Sequence, residues 1–321
     1  MNRELLLLRH GKSDWSVDSD DFNRPLKERG KRGAQRIGFW LRQQQLLPDL
    51  VISSPAKRAK VSAQLCSKAM GLEVDSIIED EAIYLAEVDE LLRVLGNCPP
   101  QTQRVMLVGH NPGLEFLLIH LASKPLDIPA DGKLLPTSAV ARLAMPDDWH
   151  ALKKGQCQLM HIQRAADLPE KYPFATQEGE ELRERPAFYY SQASAIPFRI
   201  NKEKLEILAI RKNQQQDWSI PKAVVDPGLS PQQAAGKKAM AKADIEGVVA
   251  EESLGSYDFK KWGATCTVAV YPMLVTKQHK TSGRQQPRER QWFSAAQAIK
   301  QVKPQAVRDM IGALEKIMLG D

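Results

Sequence analysis

A chain of 321 residues, 43% hydrophobic and 26% charged, has the make-up of a soluble globular protein and suits two separately packed domains. Four scattered cysteines, Cys66, Cys98, Cys157 and Cys266, without a C-x-x-C pair, exclude a disulfide framework and a zinc site, and the early apolar run Leu5 to Leu8 is too short for a membrane span and lacks a signal-peptide plan. The expectation is a cytoplasmic protein with no cofactor, no metal and no membrane partner; its net charge of +6, without arginine-rich or aromatic-basic tracts, points to phosphorylated small molecules or phosphoproteins rather than nucleic acid.

In chain order, Leu5 to Leu8 reads as a strand, 30–44 as an amphipathic helix, "PDLVISSP" (48–55) as a strand, and 56–70 as a helix. Helix 88–95, strand "RVMLVGHNP" (104–112) and helix 113–122 follow. Strands and helices alternate, and the strands are continuously apolar rather than alternating, so the spacing predicts an α/β domain with a mostly parallel sheet covered on both faces. Ligands of such sheets bind beyond the carboxyl ends of the strands. Polar clusters fall there: Arg9-His10, Ser53-Ser54-Pro55, and Gly109-His110-Asn111-Pro112. The buried first strand therefore delivers a cation and an imidazole to the sheet rim.

The first domain is expected over residues 1–165 and a linker over 166–186, where "DLPEKYPFATQEGEELRER" is acidic, contains two prolines and is poor in aliphatic residues. The second domain, 187–321, restarts with strands "AIPFRI" and "LEILAIRK", separated by a polar turn, continues through "GATCTVAVYPMLVT" and closes with a helix over 305–318.

Arg9, His10, Arg24, Arg58 and His110 all fall at turn positions. A guanidinium gives paired hydrogen bonds to phosphoryl oxygens, and a neutral imidazole is a nucleophile toward phosphorus. Arg9-His10-Gly11, Ser53-Ser54-Pro55 with Arg58, and Gly109-His110-Asn111-Pro112 together resemble the histidine phosphatase, or phosphoglycerate-mutase-like, superfamily. "NRPLKERG" and "PTSAVARL" narrow the resemblance to SixA-type phosphohistidine phosphatases, over about residues 1–163. The resemblance implies a three-layer sheet domain, His10 as a transiently phosphorylated nucleophile, and Arg9, Arg58 and a protonated His110 as the phosphate pocket, with Gly11 and Asn111 beside it. Arg24 either touches substrate or caps an exposed turn. Glu87 is either a proton donor or the start of a helix, where an acidic residue suits the dipole.

"DWSIPKAVVDPGLSPQQAAGKKAMAKADIEG" and "RERQWFSAAQA" resemble a Nudix domain, which implies an α/β/α sandwich. Against the Nudix box, Ala223 replaces a glycine, Leu229 and the pairs Lys237-Lys238 and Ala241-Lys242 replace the acidic positions, and Asp244 replaces the last glycine. Hard divalent cations need oxygen ligands, so no pyrophosphohydrolase chemistry is expected. Lys222, Lys237, Lys238 and Lys242 form either a solvated face or an anion pocket for a nucleotide or polyphosphate. The sequence supports a metal-independent phosphatase acting on phosphohistidine. It leaves open a phosphatase of nucleotides or other small phosphoesters, and a polyphosphate-sensing binding protein with incidental catalysis.

Overall fold

Leu5, Leu6, Leu7 and Leu8 are fully buried in strand β1 (Arg3–Arg9), and their side chains enter two different cores. The computed structural model describes residues 3–177, 179–212, 217–280 and 288–320, and the chain divides into two units, Met1–Glu170 and Lys171–Asp321.

The first unit continues through α1 (Glu28–Gln43), β2 (Leu50–Ser53), α2 (Lys57–Met70), β3 (Ile78–Glu79), α3 (Val88–Gly96), β4 (Arg104–Gly109), α4 (Gly113–Leu121), β5 (Ala139–Met145) and β6 (Gln158–Arg164). Its sheet has the order β3-β2-β4-β1-β5-β6. The three pairings from β3 to β1 are parallel, and the two involving β5 are antiparallel. Leu5 and Leu7 pack with Leu91, Leu95, Leu114 and Leu118 of α3 and α4. Leu6 and Leu8 pack with Ile37, Leu41, Ala63 and Met70 of α1 and α2. Two helical layers thus cover both faces, which is why the strand needs leucine at consecutive positions. In register, Arg9 lies opposite Gly109 and Ser53 opposite Val108, so the carboxyl ends of β1, β2 and β4 open on one rim.

Helices α1 and α2 meet closely at Gly38. A Cβ there would lie 2.1 Å from the Cys66 carbonyl oxygen, backbone that has no easy way to move aside. Gly38→Ala is therefore expected to destabilise the first unit by about 1–3 kcal/mol through overpacking, outweighing alanine's better helix propensity. Urea unfolding checks this, and unchanged stability would mean that the helix pair slides apart at no cost.

The second unit starts inside the segment expected to be a linker. Residues of 166–186 form a hairpin, β7 (Tyr172–Thr176) and β8 (Gly179–Arg183). Tyr172 is buried, and the Arg183 guanidinium sits 3.3 Å from the Phe174 ring centre and 4.7 Å from that of Tyr190. These aromatic-cation contacts hold a segment whose acidic residues and prolines read as a linker. Pro173 is tolerated because the strands of a two-stranded ribbon are both edges.

Strands β9 (Ser191–Asn201), β10 (Lys204–Lys212), β11 (Lys222–Val224), β12 (Ile245–Val249), β13 (Gly255–Lys261), β14 (Ala264–Gln278) and β15 (Arg288–Ser294) build a mixed sheet. Helix α5 (Pro231–Ala243) packs through Ala234, Ala235 and Ala239 on Leu208 and Ile210. Helices α6 (Ala295–Gln301) and α7 (Gln305–Leu319) pack with Ile207 and Ala209, the alternate residues of the same strand, and so cover the opposite face. This is the expected α/β/α sandwich. Asp244 ends α5 with φ of 50° and ψ of 46°, the left-handed cap that the resemblance gives to glycine and that aspartate tolerates better than most residues.

Candidate active site

At the end of β1, His10 Nδ1 lies 2.7 Å from the Gly11 carbonyl oxygen. A carbonyl only accepts, so Nδ1 carries the proton and Nε2 keeps its lone pair. Burial, reinforced by the charges of Arg58, Arg9 and Arg24, pushes His10 down to about 4 against the opposing Gly11 hydrogen bond, so the ring is neutral at pH 7. Gly11 itself donates to Ser62 Oγ at 2.9 Å, and a Cβ on it would lie 2.4 Å from the Gly30 carbonyl oxygen. Glycine is required there by the close approach of backbone to backbone.

His110, at the end of β4, faces His10 with ring centres 5.0 Å apart and shares a hydrogen bond from Nε2 to Ser54 Oγ at 2.9 Å. Burial, together with the nearby His10 ring and the Arg58 charge, pushes His110 down to about 3, so it is neutral in the free protein; the protonated form expected of it belongs to the moment of phosphoryl transfer. Arg58, near the start of α2, is only 4% exposed. Arg9 donates to the Leu135 carbonyl at 2.9 Å, and Asn111 Nδ2 donates to the same oxygen at 3.1 Å. Nε of Arg9, Arg24 and Arg58 and Nδ1 of His110 are buried and have no hydrogen-bond partner among the described residues. Buried donors are ordinarily satisfied, so this set is suited to an oxyanion.

Asp21 and Tyr84 were not singled out in the sequence, yet both belong to the cluster. Asp21 Oδ2 accepts from Arg58 and from the Tyr84 hydroxyl, each at 2.8 Å, and Arg24 closes an ion pair on Oδ1. Burial works to raise the Asp21 carboxyl, but Tyr84 and Arg58 hold it below the usual range. The one local signal was its place three residues before Arg24 in the turn "DDFNRP". Arg24 is buried and stacks 3.4 Å from the Trp15 ring centre, so it is no exposed turn cap.

Glu87 begins a helix, as one of its two readings has it. It is the N-cap of α3, its N–H donating to Glu90 Oε2 at 2.9 Å. It also lines a cleft of about 450 Å³ together with His110 and Asn111.

In the second unit the four lysines do not converge. Lys238 and Lys242 are half-buried on one face of α5, while Lys237 is exposed. Lys242 Nζ donates to the Lys222 backbone carbonyl at 2.6 Å. The Lys222 ammonium packs 3.8 Å from the Phe259 ring centre, on the side of the sheet that carries α6 and α7. Burial and the charge of Lys261 hold it below the usual lysine range. The divalent cation of Nudix chemistry does not fit this donor set: ammonium groups, a methyl and an isobutyl group stand where oxygen ligands are needed.

Residues 5–83, within the first unit, match the model of the histidine phosphatase superfamily (branch 1). An uncharacterized protein of Mycobacterium tuberculosis is 28% identical over 163 residues, covering 49% of this chain and 100% of that protein. A solved structure of the protein histidine phosphatase SixA complexed with tungstate is 20% identical, with a TM-score of 0.43, over 51% of this chain and 98% of the other. The second unit is Nudix-like: Nudix hydrolase 13, mitochondrial, of Arabidopsis thaliana is 23% identical over 129 residues, 33% of this chain and 64% of that protein, less than two thirds of its length.

Proposed function

We propose that the chain is a phosphatase that passes a phosphoryl group through His10 and that its substrate is a phosphohistidine carried on a protein. The observation that carries this reading is the His10 to Gly11 hydrogen bond, which leaves a neutral Nε2 as nucleophile beside Arg58 and His110. In the first step the Nε2–P bond forms and the substrate's P–N bond breaks, and the departing imidazole nitrogen keeps the electron pair and takes a proton from solvent. In the second, water oxygen bonds to phosphorus, the Nε2–P bond breaks, and the water's proton leaves through solvent. Arg9, Arg58 and Arg24 neutralise the equatorial oxygens, with Gly11 and Asn111 shaping the wall. Phosphoryl charge entering the site offsets the neighbouring cations, which favours proton uptake on His110 at that moment.

A protein substrate is favoured by the surroundings. Exposed Trp15 stacks on Arg24, exposed Phe22 packs on Tyr84 at 5.1 Å, and Leu85 and Phe116 line the cleft beside His110. An apolar rim around a cationic pocket suits a phosphorylated side chain presented on a folded surface. A phosphoester substrate is the second reading. It is favoured by the place of Glu87 in that cleft, from which a carboxyl group can protonate an alkoxide.

The test is turnover of a phosphohistidine protein, sugar phosphates and nucleoside diphosphate derivatives by the whole chain, with EDTA and then with added magnesium. Phosphohistidine should be hydrolysed fastest, EDTA should change nothing, and magnesium should not open pyrophosphohydrolase activity. Faster turnover of a phosphoester, with loss on Glu87→Gln, would transfer the assignment to the second reading; restoration by magnesium after EDTA would overturn the metal-free mechanism.

A further inference from the structure

A second cleft is lined by Pro136, Thr137 and Ser138 and by Lys12, two residues after His10. It measures about 290 Å³, and five cationic side chains, Lys12, Arg29, Arg36, Lys133 and Arg164, line it against two carboxylates, Asp131 and Asp167. Asp131 pairs with Arg164 at 2.8 Å and also feels the charge of Lys133, which leaves Lys12, Arg29 and Arg36 with Asp167 as the other carboxylate of the lining. Arg36 Nε is buried and has no hydrogen-bond partner among the described residues.

The floor is closely packed. Gly33 of α1 faces Ser138, and a Cβ there would lie 2.5 Å from Ser138 Oγ; a Cβ on Gly30 would lie 2.4 Å from the Lys12 carbonyl oxygen. Ser138 holds a φ of 57°, uncommon for a residue with a side chain, and its N–H reaches the carbonyl oxygens of both Arg9 and His10 at 3.2 Å. The cleft is thereby fixed to the strand end that carries the nucleophile. Lys12 stands two residues after His10, within about 7 Å of it along the chain.

We infer that this cleft binds the acidic segment flanking the phosphohistidine of a protein substrate, and so selects among phosphorylated proteins. The inference rests on the phosphohistidine reading above and adds a specificity site to it. A carboxylate-bearing peptide fits better than a lone phosphate for two reasons. The cations are spread along the cleft, from Lys12 and the two arginines of α1 to Lys133, rather than gathered about one point on a single element. The neighbouring apolar rim already suits a protein surface. Arg29 and Arg36 are two helical turns apart and so face the same way, at a separation of about 10 Å, which matches acidic residues spaced along an extended chain.

Two measurements on the full chain separate this inference from the reading it rests on. In the first, an unphosphorylated fluorescent peptide rich in aspartate and glutamate is titrated by anisotropy. It should bind, weaken with salt, and weaken about fivefold or more in Arg29→Gln/Arg36→Gln, a pair whose glutamines keep helix propensity. Absence of binding, equal binding by the double variant, or displacement by orthophosphate at constant ionic strength overturns the inference. In the second, phosphohistidine peptides with acidic or neutral flanks are compared as substrates. Wild type should show a lower KM for the acidic peptide at equal kcat, and the double variant should lose that preference while hydrolysing the neutral peptide normally. A preference retained by the variant overturns the cleft's role. Peptide binding without turnover of either substrate leaves the cleft standing and removes the phosphohistidine reading alone.

Discussion

His10→Ala is expected to abolish turnover, by roughly 10⁴-fold or more, while leaving the fold intact, because a nucleophile's removal deletes the covalent route rather than weakening it. The side chain is buried, but its hydrogen bond is to the neighbouring Gly11 carbonyl, so alanine costs the ring contact with His110 and no hydrogen bond of the sheet. Rapid acid-free quenching of wild type during turnover should trap a phosphoryl group on His10 that is labile to acid and stable to base, as a phosphoramidate is. The pH profile carries the same information. With His10 held at about 4, the unprotonated nucleophile persists as pH falls through 6 and 5, and the acid limb appears only near 4. A limb near the ordinary histidine value, with the fold intact, would show that the titrating group is not this buried imidazole. Normal activity in His10→Ala, or acid-stable phosphate on another residue, removes His10 as nucleophile.

The cluster around His10 was readable in sequence to the extent that its members end apolar strands. Arg9, His10 and His110 follow buried runs, and the parallel sheet converts that shared position into one rim. Asp21 and Tyr84 follow no such run. Asp21 reaches the site from a loop and Tyr84 from the turn before α3, 63 residues apart in the chain, and only the tertiary fold brings them to Arg58. Strands β5 and β6 were missed for related reasons. The sequence of β5 is short-chained and starts from the left-handed Ser138, and β6 is an edge strand whose exposed face breaks the apolar run. The hairpin at 172–183 was hidden by its composition, since its order comes from Arg183 stacking on Phe174 and Tyr190 rather than from aliphatic burial. The lysines of the Nudix-like unit read either as a solvated face or as one pocket; helix periodicity sends Lys237 outward, and strand alternation sends the Lys222 ammonium to the far side of the sheet.

Arg58→Ala is expected to lower kcat about a hundredfold to a thousandfold, the usual cost of deleting one preorganised donor aimed at charge developing in the transition state. Arg58 is nearly fully buried and is held from two sides, by the Asp21 carboxylate and by the Asp21 carbonyl, so its guanidinium does not have to reorganise when the phosphoryl group arrives. Arg58→Lys keeps the charge but not the paired donors, and should recover only part of the loss. Asp21→Asn should cost less than Arg58→Ala, because Asp21 acts by positioning the guanidinium and not by touching phosphate. The pH profile distinguishes loss of charge from mere loss of structure. The Arg58 charge helps to depress both His10 and His110, so its removal lets both rise toward the ordinary histidine value, although burial still holds them below it. The acid limb of the residual activity should therefore move upward from about 4 in Arg58→Ala, and stay near its wild-type position in Arg58→Lys. A large drop in kcat with no movement of the limb would mean that Arg58 supports the shape of the site and not its charge.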